Sequence, residues 1–259
     1  MAADRFDSSR SWCLHFLRNR NGAQDLPWGD AYALTPMEKA AVGPSVQQFQ
    51  LGEGSNGRRL LARAEEYAEL TGDPHFPLAL RLFVKEEQRH SAYLARFMTQ
   101  QGIPLVAKHW VDSAFRGFRH MAGLELSLRV LCTAEIIAVP YYRALASATQ
   151  SALLRAISAR ILEDEAAHLR FQSWMMAGLN VSRSGALQRL YAATHAEFLL
   201  GTCCVVWREH GPVFRAAGYS FKRFVTEAFE QFSELRLVTS ARQTRNASPL
   251  SAKPARIAP

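Results

Sequence analysis

The sequence has no Cys-x-x-Cys pair, no glycine-rich phosphate loop and no apolar run approaching the width of a bilayer. The first absence removes rubredoxin-type iron sites, zinc ribbons and iron–sulfur signatures. The four cysteines are the isolated Cys13 and Cys132 and the adjacent Cys203 and Cys204, too few to staple 259 residues. Reduced thiols and a cytoplasmic location are therefore expected. The second absence removes the common nucleotide-binding loops. The most apolar stretches, such as Phe198 to Trp207, run for about 10 residues, against the roughly 20 that a spanning helix needs, so no membrane span is expected. The first 20 residues carry Arg5, Arg10, Arg18 and Arg20 without a continuous apolar core, and no signal peptide is expected there. Strand-type alternation is scarce, and no solenoid-period repeat occurs.

What is present is ordinary globular material, 48% hydrophobic and 21% charged, enough to close a core. The net charge is +8. Arg242, Arg245, Lys253 and Arg256, with no acid among them, place half of it in the last 19 residues. Residues 241–259, rich in Ser, Ala and Pro, read as a disordered basic tail. With so much of the charge there, nucleic acid is disfavoured as a partner.

Long helical patterns dominate the rest. Residues 1–44 read as irregular, punctuated by Pro27, Pro36 and Gly43, with Ser45 as the N-cap of a first helix reaching Leu70. Thr71-Gly72-Asp73-Pro74 reads as stop, turn and restart. A second helix is expected over Phe76–Gln101, and a third from Asp112 or Ala122 to Ala148, kinked at Pro140. A fourth covers Ser151–Gly178. Two more, over 184–210 and 220–238, are separated by Gly211-Pro212 and Gly218. The architecture is all-α: a bundle over 45–178 with two added C-terminal helices over 184–238, together one domain over 45–240.

Two Glu-x-x-His motifs, Glu87/His90 and Glu165/His168, fall mid-helix on different helices. Residues at i and i+3 share a face, so each carboxylate–imidazole pair can reach one metal ion beside its helix. Each motif has an acid in the preceding helix, Glu53 and Glu135 respectively. In an antiparallel hairpin, residues about 30 apart come level, at about 1.5 Å of rise per residue. Counted from the turn at Leu70 and Phe76, Glu53 lies near the depth of Glu87 and His90, whereas Glu65 and Glu66 lie too close to the turn. Each of these acids sits in an otherwise apolar stripe, such as Phe83-Glu87-His90-Leu94-Phe97. Four carboxylates and two imidazoles facing a core cost several kcal/mol each if unpaired. A pair of metal ions neutralises them, and oxygen and nitrogen ligands suit iron or manganese.

One Glu on each of two helices, with Glu-x-x-His on each of the other two, resembles the ferritin-like di-iron carboxylate proteins in ligand order and spacing over residues 45–178. The resemblance implies a ferritin-like four-helix bundle holding two iron ions, with manganese or a mixed pair as the variant. It also implies that Glu87 and Glu165 bridge, that Glu53 and His90 complete one metal, and that Glu135 and His168 complete the other. Gly52 to Gly57 interrupts the helix around Glu53, a departure from a regular ligand helix. Tyr142, two turns beyond Glu135, is a core tyrosine with a redox or pocket role as the sharper alternative. Glu86, Glu163 and Asp164 are expected on other faces, solvated or paired with Arg89, Arg160 or Arg170. Cys132, Cys203 and Cys204 are expected in the core. His109, His120, His195 and His210 are expected to be structural or exposed.

The resemblance implies an oxidoreductase that activates dioxygen to oxidise or hydroxylate a small organic substrate. Such an oxygenase takes electrons from a separate reductase or ferredoxin, because no flavin, nicotinamide or iron–sulfur motif is visible. Ferroxidase, iron-handling or peroxide-scavenging activity is the first alternative. A tRNA-modifying hydroxylase and a non-catalytic metal-stabilised scaffold follow, and a homodimer is an option for the assembly.

Overall fold

The structure, a computed structural model, describes residues 8–20, 26–108, 123–179 and 185–247, with side chains described up to residue 240. Among the described residues there are eight helices and no strand: α1 (Ser9–Arg18), α2 (Pro36–Glu53), α3 (Arg58–Thr71), α4 (His75–Gln100), α5 (Leu124–Ser147), α6 (Ala152–Leu179), α7 (Gly185–Ala216) and α8 (Phe221–Ala247). The bundle is formed by α2 with α3, α4, α5 and α6. Helix α1 packs on α4, α7 on α5 and α2, and α8 on α6 and α5.

The N-terminal region is more ordered than its punctuation predicts. Helix α1 starts at a Ser8 capping box and buries Trp12, Cys13 and Phe16. Helix α2 starts at Pro36, nine residues before Ser45. Thr35 caps the Glu38 amide, the Glu38 side chain returns to the Thr35 backbone, and Pro36 takes the first helical position, a reciprocal arrangement that outranks a lone serine. Pro44 is carried inside α2, and Ser45 is buried rather than capping.

The expected first helix is two helices. Glu53 is the last residue of α2, and α3 begins after Gly57, which has φ +59°. A Cβ at Gly57 would lie 2.9 Å from Val84 Cγ2, so both the backbone conformation and the close approach to α4 require glycine. Helices α4 and α6 lie within one or two residues of expectation. Helix α5 runs unbroken through Pro140.

Helix α7 does not stop at Gly211-Pro212 but continues to Ala216, and Gly218 at φ +72° ends it. A proline inside a helix costs about 3 kcal/mol. Burial of Val213 and Phe214 just beyond it offsets that cost. Over 18 residues α7 is long and apolar enough to cross a membrane, unlike the shorter runs read in the sequence. Helix α8 continues past residue 240 to Ala247, so the stretch read as a disordered tail begins as helix. Ala, Arg and Gln favour helix there, and the next breaker is Pro249. His109, His120, Asp112 and the tail after Ala247 lie outside the described residues.

Buried apolar side chains form two clusters. One contains Trp12, Phe16, Phe76, Phe83, Leu128, Phe171 and Met175. The other contains Phe97, Ile136, Tyr141, Tyr142, Ile157 and Ile161. Between them lies a layer of buried acids and histidines.

Candidate metal centre

Helix α4 presents Glu87 and His90, and α6 presents Glu165 and His168, each pair one turn apart on the inward face. Helix α5 supplies Glu135 between buried Cys132 and Ala138. The end of α2 supplies Glu53. Ligand-type atoms of Glu87, Glu135, Glu165 and His168 all lie within 4.8 Å of one another, and so do those of Glu53, His90 and Glu165. His168 Nδ1 is 2.9 Å from Glu87, 3.5 Å from Glu165 and 3.9 Å from Glu135. His90 Nδ1 is 3.8 Å from Glu165, 3.9 Å from Glu87 and 4.0 Å from Glu53. Glu87 and Glu165 are thus shared by both histidines, whereas Glu53 and Glu135 each serve one.

The far nitrogens face a second set of acids. His90 Nε2 lies 3.1 Å from Asp164, and His168 Nε2 lies 3.1 Å from Glu86. Each acid precedes the Glu of one motif and serves the histidine of the other. A carboxylate can only accept, so Nε2 carries the proton in both rings, and a neutral ring then turns a lone pair at Nδ1 towards the centre. Asn19, the residue after α1, donates from its one amide nitrogen to Glu86 and to Asp164, at 2.6 Å each. Arg89 pairs with Glu86, and Arg160 donates to Asp164 at 2.8 Å and also to the side-chain amide oxygen of Asn19. Tyr142, fully buried, donates to Glu53 at 2.8 Å, and Gln172 donates to Glu135 at 3.0 Å. Phe83 meets His168 edge-on, with ring centroids 4.7 Å apart.

The outer layer is close to self-neutral, with two acids against two arginines. The inner layer is not: it holds four carboxylates and no fixed cation. Burial, together with the charges of Glu135 and Glu53, pushes Glu87 well above the usual carboxylate range. Burial and Glu135 do the same to Glu165, while burial raises Glu135 but the neighbouring Glu165 and the His168 imidazole outweigh it and bring it below the ordinary range. Burial pushes the His168 imidazole down, but Glu87, Glu135, Glu165 and Glu86 outweigh it and hold it well above its ordinary value. Burial raises Glu86 and Asp164, but their histidine partners, then Arg89 for the first and Asn19 and Arg160 for the second, bring both below the ordinary range. The inner layer therefore draws in positive charge. Both Glu165 oxygens and His90 Nδ1 are buried with no hydrogen-bond partner, and Glu87 Oε1 and His168 Nδ1 face each other at 2.9 Å. Buried polar atoms left without a partner cost about 1–3 kcal/mol each. Two divalent ions would bring four ionised carboxylates to neutrality and engage these atoms, so the residues present fit a di-metal pair.

All six residues expected at the centre meet there. Glu65 and Glu66, set aside on depth, pair on the surface with Arg81 and Arg63. Tyr142 is in the core and also touches the site through Glu53. Glu86 and Asp164 pair with Arg89 and Arg160 as expected, but they are buried rather than solvated and are also aimed at the histidines. The repeated pattern acid-Glu-x-x-His, at residues 86–90 and 164–168, is the signal that marks them. Cys204 is exposed, unlike Cys132 and Cys203. His195 bonds Thr133 and His210 bonds Ser45, both buried, in structural roles. Comparisons with protein-family models, curated proteins and solved structures each return no match.

Proposed function

We propose that the chain is a ferritin-like di-metal carboxylate protein that uses dioxygen to oxidise a small organic substrate, with electrons from a separate reductase or ferredoxin. The observation that carries this reading is the buried excess of four carboxylates gathered around the inward nitrogens of two histidines. Bound there, a pair of iron or manganese ions would supply reversible one-electron chemistry towards dioxygen. Glu87 and Glu165 would bridge the pair, Glu53 and His90 would hold one ion, and Glu135 and His168 the other. Glu86 and Asp164 fix both imidazoles with the proton on Nε2, which keeps Nδ1 basic. Tyr142 and Gln172 fix the carboxylates of Glu53 and Glu135. The apolar clusters on either side exclude water and strengthen every charge interaction within the layer. Helices α7 and α8, beyond what a minimal bundle needs, add walls around α2, α5 and α6 and favour an organic substrate over bulk iron handling.

The test is metal content followed by dioxygen uptake. The expected result is about two irons per chain, lost in the Glu87→Ala/Glu165→Ala double variant, with dioxygen consumed after anaerobic reduction. No stoichiometric metal, or metal indifferent to the double variant, overturns the reading. Oxidation of many ferrous ions per chain without organic substrate would move the assignment to ferroxidase.

A further inference from the structure

Helix α7 is as apolar as a membrane span over 18 residues, yet only 28% of that window is buried within the chain. One stripe, His195, Leu199, Cys203, Val206 and His210, packs inward. The opposite stripe, Leu190, Ala193, Glu197, Leu200, Gly201, Cys204 and Arg208, is exposed along its whole length. Leu190 and Leu200 are 59% and 45% exposed. As far as Arg208 the stripe carries two charges of opposite sign, Glu197 and Arg208; exposed Arg215 lies two turns further along the same face, and among the described residues none of the three has a salt-bridge partner. Eleven residues apart, about 16 Å along the axis, Glu197 and Arg208 cannot reach each other within the helix.

These two charges complement each other in one arrangement. Two α7 helices laid antiparallel about a two-fold axis, with Glu197 facing Arg208 of the second copy, generate the same pair again on the other side. That register sets Gly201 opposite Cys204 and Leu200 opposite Val205. The side chains at the crossing are then small, and the axes can approach to about 8 Å. We infer that the outward face of α7 is a homodimer interface, isologous and antiparallel, centred between Gly201 and Cys204 and locked in register by two Glu197–Arg208 pairs. A second copy fits better than lipid, because a bilayer would have to bury both charges in the middle of the apolar stripe. It also fits better than an unrelated chain, because the complementary charge pattern is already in this sequence. The two Glu197–Arg208 pairs bound about 16 Å of helix, and beyond them Leu190 faces Arg215 of the other copy. That is short for a specific interface, so the dimer dissociates on dilution.

The test is mass in solution by light scattering and sedimentation over a concentration series, using the full chain. The expected result is a mass approaching twice the 29.0 kDa of one chain at high concentration. Glu197→Arg and Arg208→Glu each raise the dissociation constant about tenfold or more, since two attractive pairs become repulsive. The double reversal returns it to within about threefold. Both positions are exposed, and unchanged helix content and metal content will show that the variants fold. A short bismaleimide is expected to link two chains through Cys204, the exposed cysteine, and to fail with Cys204→Ser. A protein that stays monomeric at about 100 µM overturns the inference. So does a dimer indifferent to the single reversals, a double reversal no tighter than the singles, or a monomer that floats with phospholipid vesicles.

Discussion

Asn19 is the most informative residue to perturb, because one amide touches the supports of both histidines. Asn19→Ala deletes two hydrogen bonds to ionised acceptors, at 2.6 Å each, and the oxygen that receives Arg160. A hydrogen bond to a charged group is worth about 1.5–3 kcal/mol net. Arg89 and Arg160 remain on the two acids, so the loss is nearer the bottom of that range, about 2 kcal/mol in all. For a chain of this size that is about 4–8 °C in the unfolding midpoint. A second effect should appear on loading. Without Asn19, Glu86 and Asp164 orient the imidazoles less rigidly, and loss of such outer partners weakens metal binding about 10–100-fold. The assay is denaturant unfolding of the apo and iron-loaded protein, with iron affinity measured by chelator competition. The loaded form should lose more stability than the apo form, and Asn19→Gln should recover part of it. Equal losses in both forms with unchanged affinity would show that Asn19 merely ties α1 to the bundle, and would refute the argument.

Tyr142→Phe removes the donor to Glu53, leaves a buried carboxylate oxygen short of a partner, and should cost about 1–2 kcal/mol in urea titration; a neutral outcome would show that Glu53 finds other donors. Gly57→Ala combines φ +59° with a 2.9 Å contact to Val84 and should cost about 2 kcal/mol in thermal unfolding, where a compatible site would gain stability. Burial, with Arg129 nearby, lowers His195 to about 4 from 6.5. The unfolded chain therefore binds the proton first, and stability present above pH 6.5 is lost as the pH falls towards 4. His195→Gln should flatten the stability profile over that window. Partial burial raises Glu38, but the Gln150 amide, the Tyr32 hydroxyl and the Thr35 amide and hydroxyl outweigh it and hold the carboxylate at about 2. Its contribution, about 1 kcal/mol once discounted for solvent, is present above pH 4.5 and fades as the pH falls towards 2; acid titration of Glu38→Gln against the parent measures it.

The helical class and the six inner residues were legible because both rest on short-range periodicity. Glu87/His90 and Glu165/His168 share faces by spacing alone, and depth along a hairpin selected Glu53 over Glu65 and Glu66. The outer residues were not legible from the same rule. A residue adjacent to a ligand points about 100° away from it, which reads as outward on an isolated helix. In a bundle that direction faces the neighbouring helix, and this is where Glu86 and Asp164 meet His168 and His90. Asn19 was hidden for another reason: its place depends on α1 docking against α4, a contact with no local trace. The start of α2 was misplaced because Gly43 and Ser45 looked like a boundary, although the Thr35–Glu38 box is the stronger one.

The separations within the site also bear on how the chain acquires it. Asn19 reaches Asp164 across 145 positions, Tyr142 reaches Glu53 across 89, and His168 reaches Glu86 across 82. Such contacts close long loops, and their entropy has to be met before they return any stability. The α5–α6 hairpin can form early from neighbouring segments, but the polar layer is complete only after the N-terminal helix has crossed to the far half of the bundle. A chain still emerging from the ribosome, lacking α6, has neither Glu165 nor His168 to offer. On the proposed function, capture of a metal pair would be a late event, reporting that the molecule from residue 19 to residue 168 has been assembled.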